Sequence, residues 1–414
     1  MKPVGIAAKR IVTGDPARCS AENPLGVIED GVVVYDEEGI RSVGRRASVG
    51  DVLVVDHGDR VITAGLVDAH THAAWVGSRH DEYAMRMAGA DYRAIAAAGG
   101  GILSSFRAVA AASEDEITDA LIARLRRMAA LGVTSCEVKS GYGLEPEGER
   151  KQLRAIRRAR TSFGVPTIVA TYLALHALPE SARADREAYV ERAASVLVPE
   201  MAREGLAAFV DAYVDQNAFT IAEARAVCEA ARKAGLGVRL HIGQFADIGG
   251  AKLCADLGAK SADHVEHIDA EGIALLAKHG VAAVLLPVAS FTLGQTPPPV
   301  AALREAGVMM VIASDANPGT APSESLPLAM AMAVRLYGMT PAEVLLGATR
   351  HAATSLGLWG EGIAKPRGAL VAGACADLVV WDLPHEHALV QPWGGARTWV
   401  VVRDGVQIAG AFAN

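Results

Sequence analysis

The sequence predicts an α/β fold: a (β/α)8 TIM barrel with a small β-sandwich-like domain built from both chain ends. Two observations predict it. Eight near-continuous apolar runs alternate with amphipathic helical segments through the middle of the chain, and the two ends have a different, hairpin-rich texture. A third observation locates the chemistry. The carboxyl ends of the apolar runs carry an unusual load of His, Asp, Lys and Gln, and in such a barrel that rim is where chemistry gathers.

The elements are taken in chain order. Runs at 5–13, 31–35 and 52–56, separated by turn residues such as Gly14-Asp15 and Glu38-Gly39, read as antiparallel strands. Runs at 376–382, 398–403 and 406–409, the last two joined by the hairpin dipeptide Asp404-Gly405, match them at the other end. Neither set closes a core alone, so the two together predict one composite domain of residues 1–60 plus 365–414. Between them, eight barrel strands are expected at 61–72, 133–140, 167–176, 207–215, 237–244, 261–267, 281–287 and 308–315. Helices are expected at 114–131, 147–162, 186–204, 221–234, 249–257 and 269–278, within a barrel spanning 61–364.

Composition excludes several classes. The 414 residues are 51% hydrophobic and 21% charged, which suits a globule with a large core. Lys plus Arg number 40 and Asp plus Glu 47, so the net charge is −7, against a nucleic-acid binder or a membrane-surface protein. The start has too short an apolar run for a signal peptide, and no stretch of about 18 uncharged apolar residues predicts a membrane span. The five cysteines are scattered and never form C-x-x-C, so buried thiols in a reducing cytoplasm are expected.

The expected strand ends carry His70 and His72, Lys139 followed by Tyr142, His176, Asp215, His241 and Gln244, His264, and Asp315. In Asp68-Ala69-His70-Thr71-His72 the two imidazoles stand at i and i+2, which face the same side of an extended chain. Together with His241 and Asp315 from later strands they make a nitrogen-rich ligand set suited to Zn or Fe. Such a set leaves a position for water, whose pKa the ion lowers, and a nearby carboxylate can take its proton. His264 and His267 are three apart, so one of them looks into the site; His264 is the candidate.

TAGLVDAHTH, the strand-five His241, the DHVEH segment and the strand-eight Asp315, framed by a split β domain, resemble the amidohydrolase superfamily. AHTHAAWVGSRHDEY, AGADYRAIAAAGGGI, GVTSCEVKSGYGLE, LALHALP, VAAVLLP and SDANPGTAPSESLPLAMAMA resemble, within it, the imidazolonepropionase family of histidine degradation. The resemblance implies one Zn or Fe ion per chain on His70, His72, His241 and Asp315. It implies hydrolysis of the cyclic amide of 4-imidazolone-5-propanoate to N-formimidoyl-L-glutamate. It implies contacts to this small anionic heterocycle from Arg79, Tyr92, Tyr142, His176, Gln244, Asn317, Gly319 and Thr320, with Asp315, His264 and Gln244 in the catalytic group, and a homodimer. The family's lysine in the KSGYG stretch, Lys139 here, is not a metal bridge. The segments after strands four, five and seven depart from the family pattern, which keeps open another small cyclic amide or amidine bearing a carboxylate, or a related deamination.

Overall fold

The computed structural model describes residues 2–48, 50–90, 100–391, 393 and 397–410. Eight parallel strands succeed one another in sequence order: Leu66–Asp68, Val133–Lys139, Thr167–Leu175, Phe209–Val214, Gly237–Ile242, Ser261–His264, Ala282–Leu285 and Met310–Ile312. Their residues are buried almost throughout, because helices cover the outer face and side chains fill the inside. Sequential parallel pairing with helical crossovers is the (β/α)8 barrel.

The last and first strands meet through a short seam rather than a long ladder. The Ser314 N–H and O–H donate to the Asp68 carboxylate at 3.0 and 2.6 Å. The Asp315 N–H donates to the His70 carbonyl at 3.0 Å, and the His72 N–H to the Ala316 carbonyl at 3.0 Å. A parallel bridge joins Thr71 to Ala316. The seam therefore runs through the segment that carries His70, His72 and Asp315.

The expected strand 61–72 divides in two. Val61–Ala64 pairs with Val4–Val12 and with Leu378–Trp381 in the composite sheet, while Leu66–Asp68 opens the barrel. Gly65 makes the crossing. A Cβ there would lie 2.1 Å from Oγ1 of Thr134, so only bare backbone passes between the two sheets. The expected helix 186–204 is also interrupted. It runs as Arg186–Arg192, a π turn at Ala193–Leu197, and Val198–Arg203. Pro199 explains the wider turn, since it lacks an N–H and its ring crowds the carbonyl four residues back.

The composite sheet orders its strands Val406–Gly410, Thr398–Arg403, Leu378–Trp381, Val61–Ala64, Val4–Val12, Val27–Asp36 and Gly39–Arg45, with Leu53–Asp56 pairing alongside Val4–Val12. Strand alternation gives it two jobs. Leu378, Val380, Val400 and Val402 pack with Ile6, Ile11 and Ile62 into its own core. Val379, Trp381, Val401 and Ile408 face the other way and join the barrel core. The Trp381 indole N–H donates to Oγ1 of Thr63 at 2.9 Å, so the docking residue is both apolar and anchored.

The seam predicts a stability effect. Ser314→Ala removes the hydroxyl donor of a fully buried carboxylate and should cost about 1–3 kcal/mol. A urea melt of the variant with an unchanged midpoint would refute the role given to this hydrogen bond.

Candidate active site

The seam places His70, His72 and Asp315 side by side, and the fifth strand, Gly237–Ile242, brings His241 across to them. The four residues are 4% exposed or less. His70 Nε2 lies 3.3 Å from His72 Nε2, and His72 Nε2 lies 3.4 Å from His241 Nε2. Asp315 Oδ1 is 3.5 Å from both His70 Nε2 and His72 Nε2. Asp315 Oδ1 is also a buried oxygen without a hydrogen-bond partner. Ligands held tetrahedrally at 2.0–2.1 Å from one ion stand ~3.4 Å apart. The donor set thus has the chemistry for a divalent cation: the ligand atoms of His70, His72 and Asp315 lie close enough to share one ion, and His241 joins them through His72 and His70.

Protonation agrees with that geometry. Burial drives the pKa values of His70, His72 and His241 well below the usual histidine range, so all three rings are neutral and offer lone pairs. His70 Nδ1 is 2.6 Å from Asp263 Oδ2, which keeps its hydrogen on Nδ1 and turns Nε2 to the cluster. Burial raises the Asp315 carboxyl to about 7.

His264 reaches the same place by an unusual backbone. His264, Val265 and Asp315 have φ values of 82°, 61° and 53°, a left-handed region that side-chain-bearing residues rarely occupy. The turn of chain sends His264 into the site, where its ligand atom groups with those of His70 and His241. His267 is left exposed. Burial opposes a charge on His264, but the Glu266 carboxylate, 3.7 Å from its Nδ1, outweighs it, and its pKa rises.

The expected substrate residues lie around this cluster in three groups. Tyr142 and His176 stand beside His72, with ring centroids 6.0 and 5.2 Å away. His176 Nδ1 hydrogen-bonds the Gly141 carbonyl at 2.8 Å, and burial lowers its pKa to about 4. The loop bearing Tyr142 is held from the helix Pro146–Ala159: Gln152 accepts the Tyr142 and Gly143 N–H groups, each at 3.1 Å, and Glu149 accepts those of Gly141 and Leu144.

Arg79 is bidentate on Glu82, whose carboxylate also accepts from Arg86 and from the Gly101 N–H. Its Nη1 lies where a Cβ on Gly319 would come within 2.2 Å, so Arg79 and the loop after the eighth strand are in direct contact. The Asn317 amide is spent on that loop. It accepts from the N–H groups of Gly319 and Thr320 at 2.9 and 2.8 Å and donates to the Asp315 carbonyl at 2.7 Å. Gln244 Oε1 accepts the Tyr213 hydroxyl at 2.9 Å, which directs the amide N–H2 elsewhere. Tyr92 lies outside the described residues.

Asp215, at the expected end of strand four, is not in the cluster. Its carboxylate accepts the N–H groups of Gln216 and Phe245 and braces two loops. The sequence reading missed several residues beneath the cluster. Glu137, Asp211, Arg239 and Asp263 are all 0% exposed, as is Lys139. Their signal was present: charged residues inside otherwise apolar strands, two of them at i−2 from the rim residues Lys139 and His241. Tyr213 and Glu82, which hold Gln244 and Arg79, were missed for lack of any local pattern.

The amidohydrolase family model matches residues 61–414. Among curated relatives, an imidazolonepropionase of Polaromonas sp. is 42% identical over 95% of this chain and 94% of its own. One of Caulobacter vibrioides is 43% identical over 94% and 97%, and one of Paracoccus denitrificans 45% identical over 87% and 90%. Among solved structures, a zinc-bound adenosine deaminase from Xanthomonas campestris superposes with a TM-score of 0.73 at 20% identity, covering 98% of this chain and 92% of its own. A triazine hydrolase superposes with a TM-score of 0.75 at 16% identity, covering 99% and 95%. At those identities the structural likeness speaks to the fold, and the curated relatives speak to the family. The chain belongs to the amidohydrolase family and, within it, to the imidazolonepropionases.

Proposed function

We propose that the chain is a metal-dependent hydrolase of histidine degradation that opens the cyclic amide of 4-imidazolone-5-propanoate to N-formimidoyl-L-glutamate. The observation that carries the reading is the gathering of His70, His72 and Asp315, whose ligand atoms lie 3.3 to 3.5 Å from one another, with His241 Nε2 3.4 Å from His72 Nε2. These residues would hold one Zn or Fe ion; the relatives' family name supports the substrate.

When bound, the ion acidifies a solvent molecule and polarises the ring carbonyl. The chain's own residues do the rest. Hydrolysis forms a C–O bond at the ring carbonyl carbon, breaks the adjoining ring C–N bond and delivers a proton to the leaving nitrogen. Asp315, a buried carboxylate beside the attacking water in this reading, accepts its proton and passes it to that nitrogen. His264, whose pKa is raised by Glu266, donates to the oxygen on which negative charge develops.

Arg79 is the counter-charge for the propanoate, held ready by Glu82. Tyr142, His176, Gln244, Asn317, Gly319, Thr320 and Tyr92 complete the binding surface in this reading. Neutral His176 and the fixed Gln244 amide supply hydrogen bonds that a ring with nitrogen and oxygen edges can use.

The reading also takes a homodimer as the assembly, which light scattering of the purified protein checks. It takes the cytoplasm as the location. The five cysteines are all free, and no helix among the described residues is long and apolar enough to cross a membrane.

Loss of imidazolone absorbance with purified, metal-loaded protein tests the function, and absence of turnover rejects it. Removal of the ion by a chelator should abolish turnover, and Zn or Fe(II) should restore it. His70→Ala should lose metal and turnover together, read by elemental analysis beside the assay. Arg79→Ala should keep its metal and raise KM about 10- to 100-fold, the worth of one charged hydrogen-bonding partner. Unchanged kinetics would remove Arg79 from carboxylate recognition.

A further inference from the structure

Directly under the cluster lies a sealed set of five charges. Lys139 Nζ is 2.7 Å from Asp211 Oδ2, 2.9 Å from Glu137 Oε2 and 3.7 Å from Asp263 Oδ2. Arg239 Nε is 3.1 Å from Glu137 Oε1, and its Nη2 is 3.6 Å from Asp263 Oδ2. All five side chains are 0% exposed. Such a group is costly to bury, and nothing in barrel packing requires it. Apolar residues fill the equivalent layer of an ordinary barrel.

Two of the carboxylates have a second contact. Asp263 Oδ2 is 2.6 Å from His70 Nδ1. Asp211 Oδ2 is 3.0 Å from His241 Nδ1, while its Oδ1 accepts the His241 backbone N–H at 3.3 Å. These are the far nitrogens of two of the imidazoles whose Nε2 atoms face the cluster. A carboxylate on that nitrogen sets the tautomer, the ring orientation and the donor strength of a ligating imidazole. Three carboxylates against two cations leave a net negative charge beside those two rings.

We infer that Lys139 is a positioning residue for the metal. It does not ligate an ion; it anchors Asp211 and Asp263, and through them it sets how tightly and in what geometry His241 and His70 hold one. Its ammonium is already committed to carboxylates, whereas a bridging role would need a nitrogen free of them. Arg239 supports the same array. From its guanidinium it also donates to the carbonyls of Ala69, next to His70, and of Ser355, at 2.8 and 3.0 Å. The inference rests on the metal reading above.

The test measures metal affinity, by competition with a chromophoric chelator, and the visible absorption band of the cobalt(II)-substituted protein. Wild-type protein that takes up no divalent ion overturns the metal reading itself, and this inference with it. Given wild-type binding, Lys139→Met should weaken the Kd 10- to 100-fold, the effect of losing an outer partner of a ligand, and should shift the cobalt band. A wild-type Kd and band in the folded variant overturn the inference alone. Should Lys139→Met fail to fold, the near-isosteric Asp211→Asn decides on the same two readouts. Arg367→Met breaks a partly buried ion pair beside the composite sheet, Arg367 with Asp377, and should leave both readouts unchanged. An equal loss there would mean that any buried charge defect loosens the metal, and would overturn the inference.

Discussion

The closing of the barrel is the constraint on which the rest depends. The first and eighth strands are only three residues each, so their junction is secured by residues at and just beyond their carboxyl ends: Asp68 with Ser314, His70 with Asp315, Thr71 and His72 with Ala316. The hydrogen bonds that close the cylinder are the same ones that set two imidazoles beside a carboxylate. Closure and the placement of these three side chains are therefore one event. The composite sheet supports it from outside, with Gly65 letting a single chain pass from one sheet to the other and Trp381 filling the gap against the barrel.

Above the seam the site is arranged by charge. Neutral imidazoles and one carboxylate face inward at the top, and a buried ionic array lies beneath. On one side a loop is tied down by Glu149 and Gln152, and on another an arginine by Glu82. Many of the polar atoms facing the site have a partner behind them. Those without a hydrogen-bond partner include His72 Nδ1, His264 Nδ1, Asp315 Oδ1 and His241 Nδ1, the last of which has Asp211 at ion-pair distance. Strained backbone is found in the same place, at His264, Val265 and Asp315, three of the six positive-φ non-glycine residues among those described, where the fold holds side chains in directions a regular strand would not give them.

Much of this was legible in the residues. Alternating apolar strands and amphipathic helices have distinct periods, so the barrel could be read locally. His70 and His72 were legible because i and i+2 point together. His241 and Asp315 were legible because chemistry-bearing residues are conspicuous at the ends of apolar runs. The division of 61–72 at Gly65 was not legible, since an apolar run looks the same whichever sheet it joins. Strand alternation separates His264 from His267, but the way the chain turns His264 inward, and the bracing role of Asp215, were not legible. His264 and Asp215 both sit at strand ends, and only a reversal of the chain at positive φ turns one inward while backbone amides occupy the other.

Sequence alone therefore determined the period of each element, the number of barrel strands and the identity of the metal-suited donors, because these are properties of short stretches of chain. The tertiary structure decided which of these side chains lie together and which carboxylates stand behind them. It also decided that Asn317 serves its own loop and that Glu82 holds Arg79. Those outcomes depend on distances between residues far apart in the chain, such as Asp68 and Ser314 or His70 and Asp263, and a distance of that kind exists only once the barrel has closed.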